Sequence, residues 1–575
     1  MSPKFHLISI TLVLWILTST PASAEVRVPR IFSDQMVLQQ ETSNAFWGWG
    51  TPGKNINVEA SWGESVSTTV SPEGRWKLFL PTPSHGTGFQ VTISGGNQIR
   101  LKNVAIGEVW LCAGQSNMGW STGNSFEAEG ETNVDLPGFR IFKSQREHWH
   151  EPLEESRDLL KRWKPCTPES AAETSAVSYY FGKTLHQHLK VPVGIIVQAY
   201  AGTPIEGWMP WQLQADDPRA IAHKEQMDIN SRRQRGRGDT IEKGLATWQE
   251  EFAVYQRKIA SGETMKNRFR VLQPPFITKP ASLGHQYPAH IFNAMVYPIR
   301  PFGIRGMIWY QGERNSKNVP QAVHYETQIA RLIGYYRSSW HELSAGNVSD
   351  DFPVQLTQLP SWNPPQQEPV EGLSAPWAAN RESMRLASES LPNAGLVVSI
   401  DTGDEIALHP KNKKPIGIRH ALLALNKTYR RVNIVGSGPR VTDYRRVGNR
   451  VTLTFGSIGS GLMAGRGENP DAFALADQNG SWHWAKATID GNAVHLTAED
   501  VRQPTGVRYA WAMNPSQRSL LYNREGLPAS PFRTDSQPLF REDEDLMDVL
   551  KPEKPEGYVS KDWSRPAMPQ AQANE

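Results

Sequence analysis

Five short runs of continuous apolar residues, separated by stretches with helical periodicity, dominate the middle of this chain. The runs cover residues 109–113, 193–197, 306–310, 354–356 and 396–400, and the helical stretches between them include 175–189, 322–340 and 378–391. Strands without polar alternation are buried on both faces, and their alternation with helices is typical of a parallel sheet covered on both sides. We therefore predict an α/β domain over residues 105–431.

A different pattern flanks this domain on both sides. Between residues 26 and 103, short apolar runs alternate with turns such as Thr51-Pro52-Gly53 and Ser94-Gly95-Gly96, and similar runs return after residue 432. Short strands punctuated by turn residues are typical of β-sandwiches. We predict an N-terminal β-sandwich domain at 25–104, a C-terminal β domain at 432–535, and a mobile tail rich in Pro and acidic residues at 536–575.

The first 24 residues have the three-part layout of a secretory signal peptide. Lys4 precedes the apolar run 7–17, and small residues ending in Ala22-Ser23-Ala24 follow it. This layout predicts cleavage after Ala24 and export to the periplasm or the extracellular space. Other stretches fall short of the roughly 18 apolar residues that a membrane span requires, so we expect no membrane partner for the mature protein.

Charge and cysteine content exclude several other classes of protein. The chain has 61 Lys+Arg and 58 Asp+Glu, and a net charge of +3 does not predict binding to nucleic acid. Two cysteines, Cys112 and Cys166, are too few for a disulfide framework or a four-cysteine zinc site. Export would permit a bridge between them, but we expect two buried free thiols.

A polar insertion at residues 215–279 interrupts the α/β pattern. It contains the arginine-rich run 232–237, followed by an amphipathic stretch at 240–260. We interpret the run as a solvated loop that leads into a surface helix.

The ends of the predicted strands carry the candidate site residues, because ligands of an open α/β sheet bind outside the carboxyl ends of its strands. The first strand is followed by Gly114-Gln115-Ser116-Asn117-Met118. A serine at the start of a helix has N–H groups beside it that would stabilise an oxyanion, although the same pattern also fits a serine that only caps a helix.

Three further strand ends are rich in polar groups or glycine. Gly202 follows the second strand and offers an unobstructed N–H as an oxyanion donor, or a turn glycine. The third strand leads into 311–315, where Asn315 would donate its amide to an oxyanion and Glu313 would orient its neighbours. His409 follows the fifth strand and has acidic residues just before it. Ser116 and His409 thus supply a nucleophile and a base.

Together these motifs resemble the sialate O-acetylesterases, a family within the SGNH class of serine esterases. The resemblance is carried by the segments 107–118, 202–208, 293–295, 306–315, 409–413, 507–511 and 521–533. It spans nearly the whole mature chain except the insertion and the tail.

The resemblance implies a role for each matching residue. Ser116 would be the nucleophile, His409 the general base, and the oxyanion hole would consist of the N–H groups of Ser116 and Gly202 with the side chain of Asn315. It implies neither a metal nor a cofactor. We expect three further residues to shape the site: Gln115, Gln311 and Glu313.

The sequence does not decide which carboxylate, if any, is the partner of His409. Many SGNH enzymes have an aspartate three residues before the histidine, but Ile406 stands there, and position 407, where bacterial relatives often carry Asp, is Ala. The candidates are Asp404, which is preferred as the nearer one, Asp401 and then Glu313. A Ser-His dyad assisted by a main-chain carbonyl is the remaining alternative.

The sequence thus predicts an exported esterase that deacetylates carbohydrates through an acetyl-serine intermediate. An anionic sialate would favour an arginine near the pocket, such as Arg314 or Arg419. A plant or algal polysaccharide would instead use aromatic platforms, for which the candidates are Trp120, Trp208, Trp211 and Trp362.

Two alternatives belong to other classes. One is a non-catalytic carbohydrate-binding protein, which would be expected to lack at least one of Ser116, Asn315 and His409, all of which are present. The other is an esterase of lipid or aryl esters with the insertion as a lid, and the charge of the insertion argues against it.

Overall fold

A computed structural model describes residues 25–126, 128–235, 241–263, 271–272, 284–541 and 548–559. The predicted signal peptide at 1–24 lies outside these residues, as do parts of the insertion and of the tail. The strands are β1 Val37–Gln39, β2 Ser43–Trp49, β3 Asn55–Ala60, β4 Ser65–Thr69, β5 Arg75–Pro81, β6 Gly86–Ser94, β7 Gln98–Gly114, β8 Leu136–Lys143, β9 Trp163–Cys166, β10 Val193–Ala199, β11 Gly306–Tyr310, β12 Val354–Thr357, β13 Ala394–Val397, β14 Arg440–Val447, β15 Arg450–Gly456, β16 Leu462–Ala464, β17 Phe473–Ala476, β18 Trp482–Trp484, β19 Lys486–Asp490, β20 Ala493–Thr497, β21 Gly506–Tyr509, β22 Leu521–Asn523 and β23 Phe532–Arg533. The α-helices are α1 Ser116–Gly119, α2 Ala128–Thr132, α3 Pro168–Glu173, α4 Ala176–Leu189, α5 Pro218–Arg235, α6 Ile241–Ala260, α7 Val319–Leu343, α8 Pro376–Ser390 and α9 Lys414–Leu423.

The centre of the molecule is a sheet in the order β13-β12-β11-β7-β10-β8-β9, parallel except for the antiparallel edge strand β9. Side chains alternate along β7: Val109 and Leu111 belong to the core that α7 and α8 cover, whereas Trp110 and Cys112 belong to the core that α4 and α9 cover. The sheet is therefore buried on both faces, and the predicted α/β class is confirmed.

Strand β7 connects the central sheet to the N-terminal β region. Its first part pairs antiparallel with β6, and its last residues pair parallel with β10 and β11. The boundary that the sequence suggested between residues 104 and 105 lies inside this 17-residue strand. The hydrophobic core is also continuous there, because Val104 and Val109 belong to the same cluster.

The C-terminal region consists of antiparallel sheets around a buried cluster to which Val398 and Ile400 also belong. One sheet has the order β14-β15-β20-β19 and another the order β18-β17-β21-β23. Apolar residues of both sheets, such as Leu453 and Leu475, meet in one buried cluster. The bounds 432–535 of a separate C-terminal β domain stay a prediction.

Some local predictions are corrected by the structure. The fifth strand is shorter than expected, because β13 ends at Val397 and residues Ile400–Thr402 form a 3₁₀ turn. The arginine-rich run does not begin as a loop, since α5 extends to Arg235. Cys112 and Cys166 are buried free thiols, as predicted. Within the described residues, no helix is both long and apolar enough to cross a lipid bilayer.

Candidate active site

Three of the predicted motifs begin at the same level of the central sheet. Gly114, the last residue of β7, pairs with Ala199 at the end of β10 and with Tyr310 at the end of β11. Hydrogen bonds continue just beyond the strands, from Gln115 N–H to the carbonyl of Tyr310 (3.0 Å) and from Tyr200 N–H to the carbonyl of Gly114 (3.0 Å). The residues that follow these three strands therefore share one edge of the sheet.

Ser116 is half-buried and opens the short helix α1. The turn before it requires glycine: Gly114 has a φ of +150°, and a Cβ there would lie 2.0 Å from the carbonyl oxygen of Tyr310. The N–H groups at the start of a helix have no partner within the helix. The N–H of Ser116 belongs to this set and is chemically suited to an oxyanion.

Asn315 is held in one orientation by its hydrogen bonds. Its Oδ1 accepts from Ile205 N–H (2.9 Å) and from Gln311 Nε2 (2.9 Å), while its Nδ2 donates to Glu206 Oε2 (2.9 Å). A main-chain N–H can only donate and a carboxylate can only accept, so the amide cannot be flipped. One N–H of Nδ2 remains for a ligand. Gln328 Nε2 donates to the other oxygen of Glu206 (2.7 Å).

Gln311 links Asn315 to the residue beside Ser116. Its Nε2 lies 3.0 Å from Gln115 Oε1, and its Oε1 accepts from the hydroxyl of Tyr325 (2.6 Å). All these side chains are buried. The structure therefore brings the predicted residues Gln115, Gln311 and Asn315 into one hydrogen-bonded group.

Gly202 lies in the loop after β10 with a φ of +72°, a conformation that favours glycine. Its carbonyl accepts from Gln286 Nε2 (3.0 Å). Space for a Cβ exists, because the nearest atoms would be 3.8 Å away. The glycine is therefore required by backbone conformation and not by crowding.

His409 lies on a loop that packs against α1. Its imidazole stacks on Trp120, which follows α1, with 5.6 Å between ring centroids and 28° between planes. The neighbours of Ser116 and His409 in the chain are also in contact: Asn117 Nδ2 donates to the carbonyl of Leu408 (3.3 Å). Burial, followed by the charges of Lys413 and Lys551, lowers the pKa of His409 to about 4, so the imidazole is neutral at pH 7.

Both acidic candidates before His409 have other partners. Asp401 forms a bidentate ion pair with Arg419 (2.7 and 2.6 Å). Asp404 Oδ1 accepts from the N–H groups of Ile406 (2.9 Å) and Ala407 (2.7 Å). In the part of the chain that the structure describes, no hydrogen bond joins a carboxylate to the His409 imidazole. Asp404 thus stabilises the loop that carries the histidine.

A buried polar bridge, Lys413–Asn117–Glu313, includes the residue that follows Ser116 in the chain. Lys413 Nζ donates to Asn117 Oδ1 (2.5 Å), and Asn117 Nδ2 donates to Glu313 Oε1 (2.5 Å). Burial raises the pKa of Glu313, and burial lowers the pKa of Lys413 to about 7. The bridge joins helix α1, the loop of His409 and the residues that follow β11.

Sequence reasoning had singled out Glu313 but not Asn117, Lys413 or Glu206 as site residues. Each stands inside a motif that was noticed, within a few residues of a predicted catalytic group. The signal available in the sequence was their position, because each is a polar residue inside one of these motifs.

A cavity of about 470 Å³ adjoins Asn315 and is called the polar cavity here because most of the residues that line it are polar. Its lining includes Glu206, Arg219, Gln286, Arg314, Asn315 and Lys317. Of the two arginines considered for an anionic sugar, Arg314 lines the cavity and donates from Nη2 to Gln286 Oε1 (2.9 Å). Arg419 forms an ion pair with Asp401. Of the four tryptophans considered as sugar platforms, Trp208 and Trp362 are buried in the core, so only Trp120 and Trp211 retain exposed surface.

Known proteins resemble this chain over most of its length. A model of the family described as carbohydrate esterase, sialic acid-specific acetylesterase matches residues 106–227. The sialate O-acetylesterase of Mus musculus is 25% identical over 91% of this chain and 97% of its own, and that of Homo sapiens is 24% identical over 91% and 94%. A crystal structure of a carbohydrate acetylesterase from Xanthomonas citri has a TM-score of 0.71 and 28% identity, covering 89% of this chain and 100% of that chain.

Proposed function

We propose that this chain, which is similar to sialate O-acetylesterases over most of its length, is an ester hydrolase of that kind and removes O-acetyl groups from carbohydrates through an acetyl-serine intermediate. The observation that carries the proposal is the rigid amide of Asn315, held by Glu206 and Gln311 at the sheet edge that also carries Ser116. A preoriented donor beside a serine at a helix start is what acyl transfer requires.

The reaction follows from these positions. Ser116 Oγ attacks the acetyl carbonyl while His409 accepts the proton from the hydroxyl. The oxyanion is stabilised by the N–H groups of Ser116 and Gly202 and by Nδ2 of Asn315. His409 then returns the proton to the departing sugar oxygen. Water, deprotonated by His409, attacks the acetyl-serine and releases acetate.

His409 is oriented in this proposal by Trp120 and by the loop that Asp404 stabilises, since among the described residues no carboxylate forms a hydrogen bond with its imidazole. This is a Ser-His dyad, and it differs from the alternative that the sequence left open in that Trp120, and not a main-chain carbonyl, contacts the imidazole. Asp404 acts as a positioning residue, and Asp401 stabilises the same region through Arg419.

The polar cavity beside Asn315 is the proposed position of the sugar. Amide and guanidinium groups line it, and these groups bind hydroxyls as well as carboxylates. Export is part of the proposal, supported by the signal-like layout of residues 1–24, and would place the enzyme where polymeric glycans are found.

The substrate is tested by acetate release from O-acetylated sialic acid, acetylxylan, acetylated xyloglucan and acetylated pectin, with wild type beside Ser116→Ala. Release from one of them that disappears in the variant would support both the chemistry and the sugar class. A folded protein that binds one of these glycans but releases acetate from none would instead support the non-catalytic alternative.

The pH profile provides a second prediction. A lowered pKa means that His409 remains neutral, and able to accept a proton, to lower pH than an ordinary histidine. Lys413 is still protonated near pH 4, where His409 titrates, because the pKa of Lys413 is about 7. We expect the acidic limb of kcat/KM to have its midpoint near pH 4. Initial rates between pH 3 and 8, after checks of reversibility, would measure it. A limb at pH 6–7 would contradict the role or the environment of His409.

The oxyanion donor provides a third prediction. Asn315→Ala should lower kcat about 10²- to 10³-fold with a small change in KM, because the donor acts mainly in the transition state. Glu206→Gln should cost less, since its amide can still accept from Nδ2 through its oxygen. Asn479→Ala, at an exposed asparagine of the C-terminal β region, is the control and should retain the kcat and KM of wild type. An Asn315→Ala variant that mainly raises KM would assign Asn315 to sugar binding instead.

A further inference from the structure

The C-terminal segment, defined here as residues 548–559, begins at the rim of the polar cavity. Val549 N–H donates to the carbonyl of Lys317 (2.7 Å). Asp548 accepts from Lys317 Nζ (3.2 Å) and from Asn318 Nδ2 (3.3 Å). Lys317 lines the cavity, two residues after the proposed oxyanion donor Asn315. The start of the segment is therefore attached to the loop that carries one side of the site.

The end of the same segment reaches the loop of His409. The hydroxyl of Tyr558 donates to Asp404 Oδ1 (2.5 Å). This is the oxygen that accepts from the N–H groups of Ile406 and Ala407. Burial and the neighbouring Asp404 raise the pKa of Tyr558, so its hydroxyl remains a donor at neutral pH.

Between its ends the segment runs beside the base. Val549 packs on the apolar cluster around Trp362 and Trp377, and Leu408, the neighbour of His409, packs on the same cluster. Lys551 is exposed, and its charge is one of the two that lower the pKa of His409. The segment therefore contacts both sides of the site at once.

We propose, on the basis of the proposed function, that the C-terminal segment forms a wall of the substrate site. Asp548 is the specificity-determining residue at the cavity rim, and Tyr558 is a positioning residue for the loop of His409. The sugar that carries the acetyl group occupies the cavity and extends toward this loop, so the segment limits which glycans can place an acetyl ester at Ser116. The sequence had predicted only a mobile tail here.

The role of Asp548 is tested in the full-length protein with Asp548→Ala and, as a matched control, Glu553→Ala at an exposed carboxylate of the same segment. Two substrates are compared: the best acetylated oligosaccharide and nitrophenyl acetate, which is too small to fill the cavity. Asp548→Ala should lower the ratio of the two kcat/KM values about 3- to 10-fold, mainly through KM for the oligosaccharide. A ratio equal to that of wild type and of Glu553→Ala would overturn the role of Asp548.

The other contacts have their own readouts. Tyr558→Phe removes only the hydroxyl and should lower kcat about 3- to 10-fold on both substrates without a matching rise in KM. His409 faces the charges of Lys413 and Lys551 and the ring of Trp120. Lys551→Gln should therefore raise the midpoint of the acidic limb by about a few tenths of a pH unit, whereas Lys551→Arg should not.

These outcomes separate the two proposals. If wild type hydrolyses neither substrate, the proposed function is wrong. A second outcome would contradict only the wall. Wild type would hydrolyse both substrates in a Ser116-dependent way, and all three variants, Asp548→Ala, Tyr558→Phe and Lys551→Gln, would match it in the ratio of kcat/KM values, in kcat and in pH profile. The proposed function would then stand.

Discussion

Ser116→Ala is expected to lower kcat for acetyl-ester hydrolysis by at least about 10³-fold, because the variant retains the oxyanion donors but has no hydroxyl to acylate. His409→Ala should cost about as much, since the Ser116 hydroxyl is a weak nucleophile without a base. The two losses should not add in the double variant, because both residues act in one step. Acetate release under single-turnover conditions measures all three.

Controls keep this result interpretable. Ser125→Ala removes another hydroxyl of the same region, one that donates to the carbonyl of Ser121 (3.1 Å), and should retain activity. Circular dichroism and the melting temperature should be close to wild type for each variant. Mass spectrometry of wild type during turnover should detect one added acetyl group, absent from Ser116→Ala. Substantial turnover by Ser116→Ala would refute the assignment of Ser116 as the nucleophile.

Much of the fold was predictable from local pattern. Continuous apolar strands specify a sheet that is buried on both faces, and β7, β10 and β11 occur where the runs predicted them. The boundary at residue 104 was less accessible to sequence, because nothing in local pattern shows that β7 continues from one sheet into another. The end of α5 was misjudged because an arginine-rich run is compatible with both helix and loop.

The candidate site was predictable only in part, because local sequence pattern does not show which distant residues come into contact. Ser116 and Asn315 are candidates because they follow strands whose carboxyl ends lie at one edge of the sheet, whereas His409 lies on a loop well after the end of β13. The residues that orient them depend on contacts between distant parts of the chain: Lys413 and Asn117 are separated by 296 positions, and Asn315 and Glu206 by 109. The partners of Asp401 and Asp404 also depend on tertiary structure, and Ser116 with His409 remains as the proposed dyad.

Lys413→Met is expected to lower kcat about 10- to 100-fold with little change in KM. Methionine replaces the aliphatic stem but not the ammonium group, so Asn117 Oδ1 loses its donor and the link between α1 and the loop of His409 weakens. Small displacements of a nucleophile relative to its base have effects of this size. Since a positive charge near His409 is also removed, the pKa of His409 should rise from about 4, and the acidic limb should move to higher pH.

Glu313 provides the comparison that distinguishes positioning from stability. Lys413→Met leaves the buried Glu313 without the nearby cation that lowers its pKa, and the free energy of unfolding should fall by about 1–3 kcal/mol. Adding Glu313→Gln removes the uncompensated carboxyl while its amide oxygen still accepts from Asn117, so stability should recover. Activity should not recover, because the donor to Asn117 and the charge beside His409 are still missing. If kcat and the acidic limb returned to wild type together with stability, Lys413 would act only on the fold; if they remained shifted, it positions the base against the nucleophile.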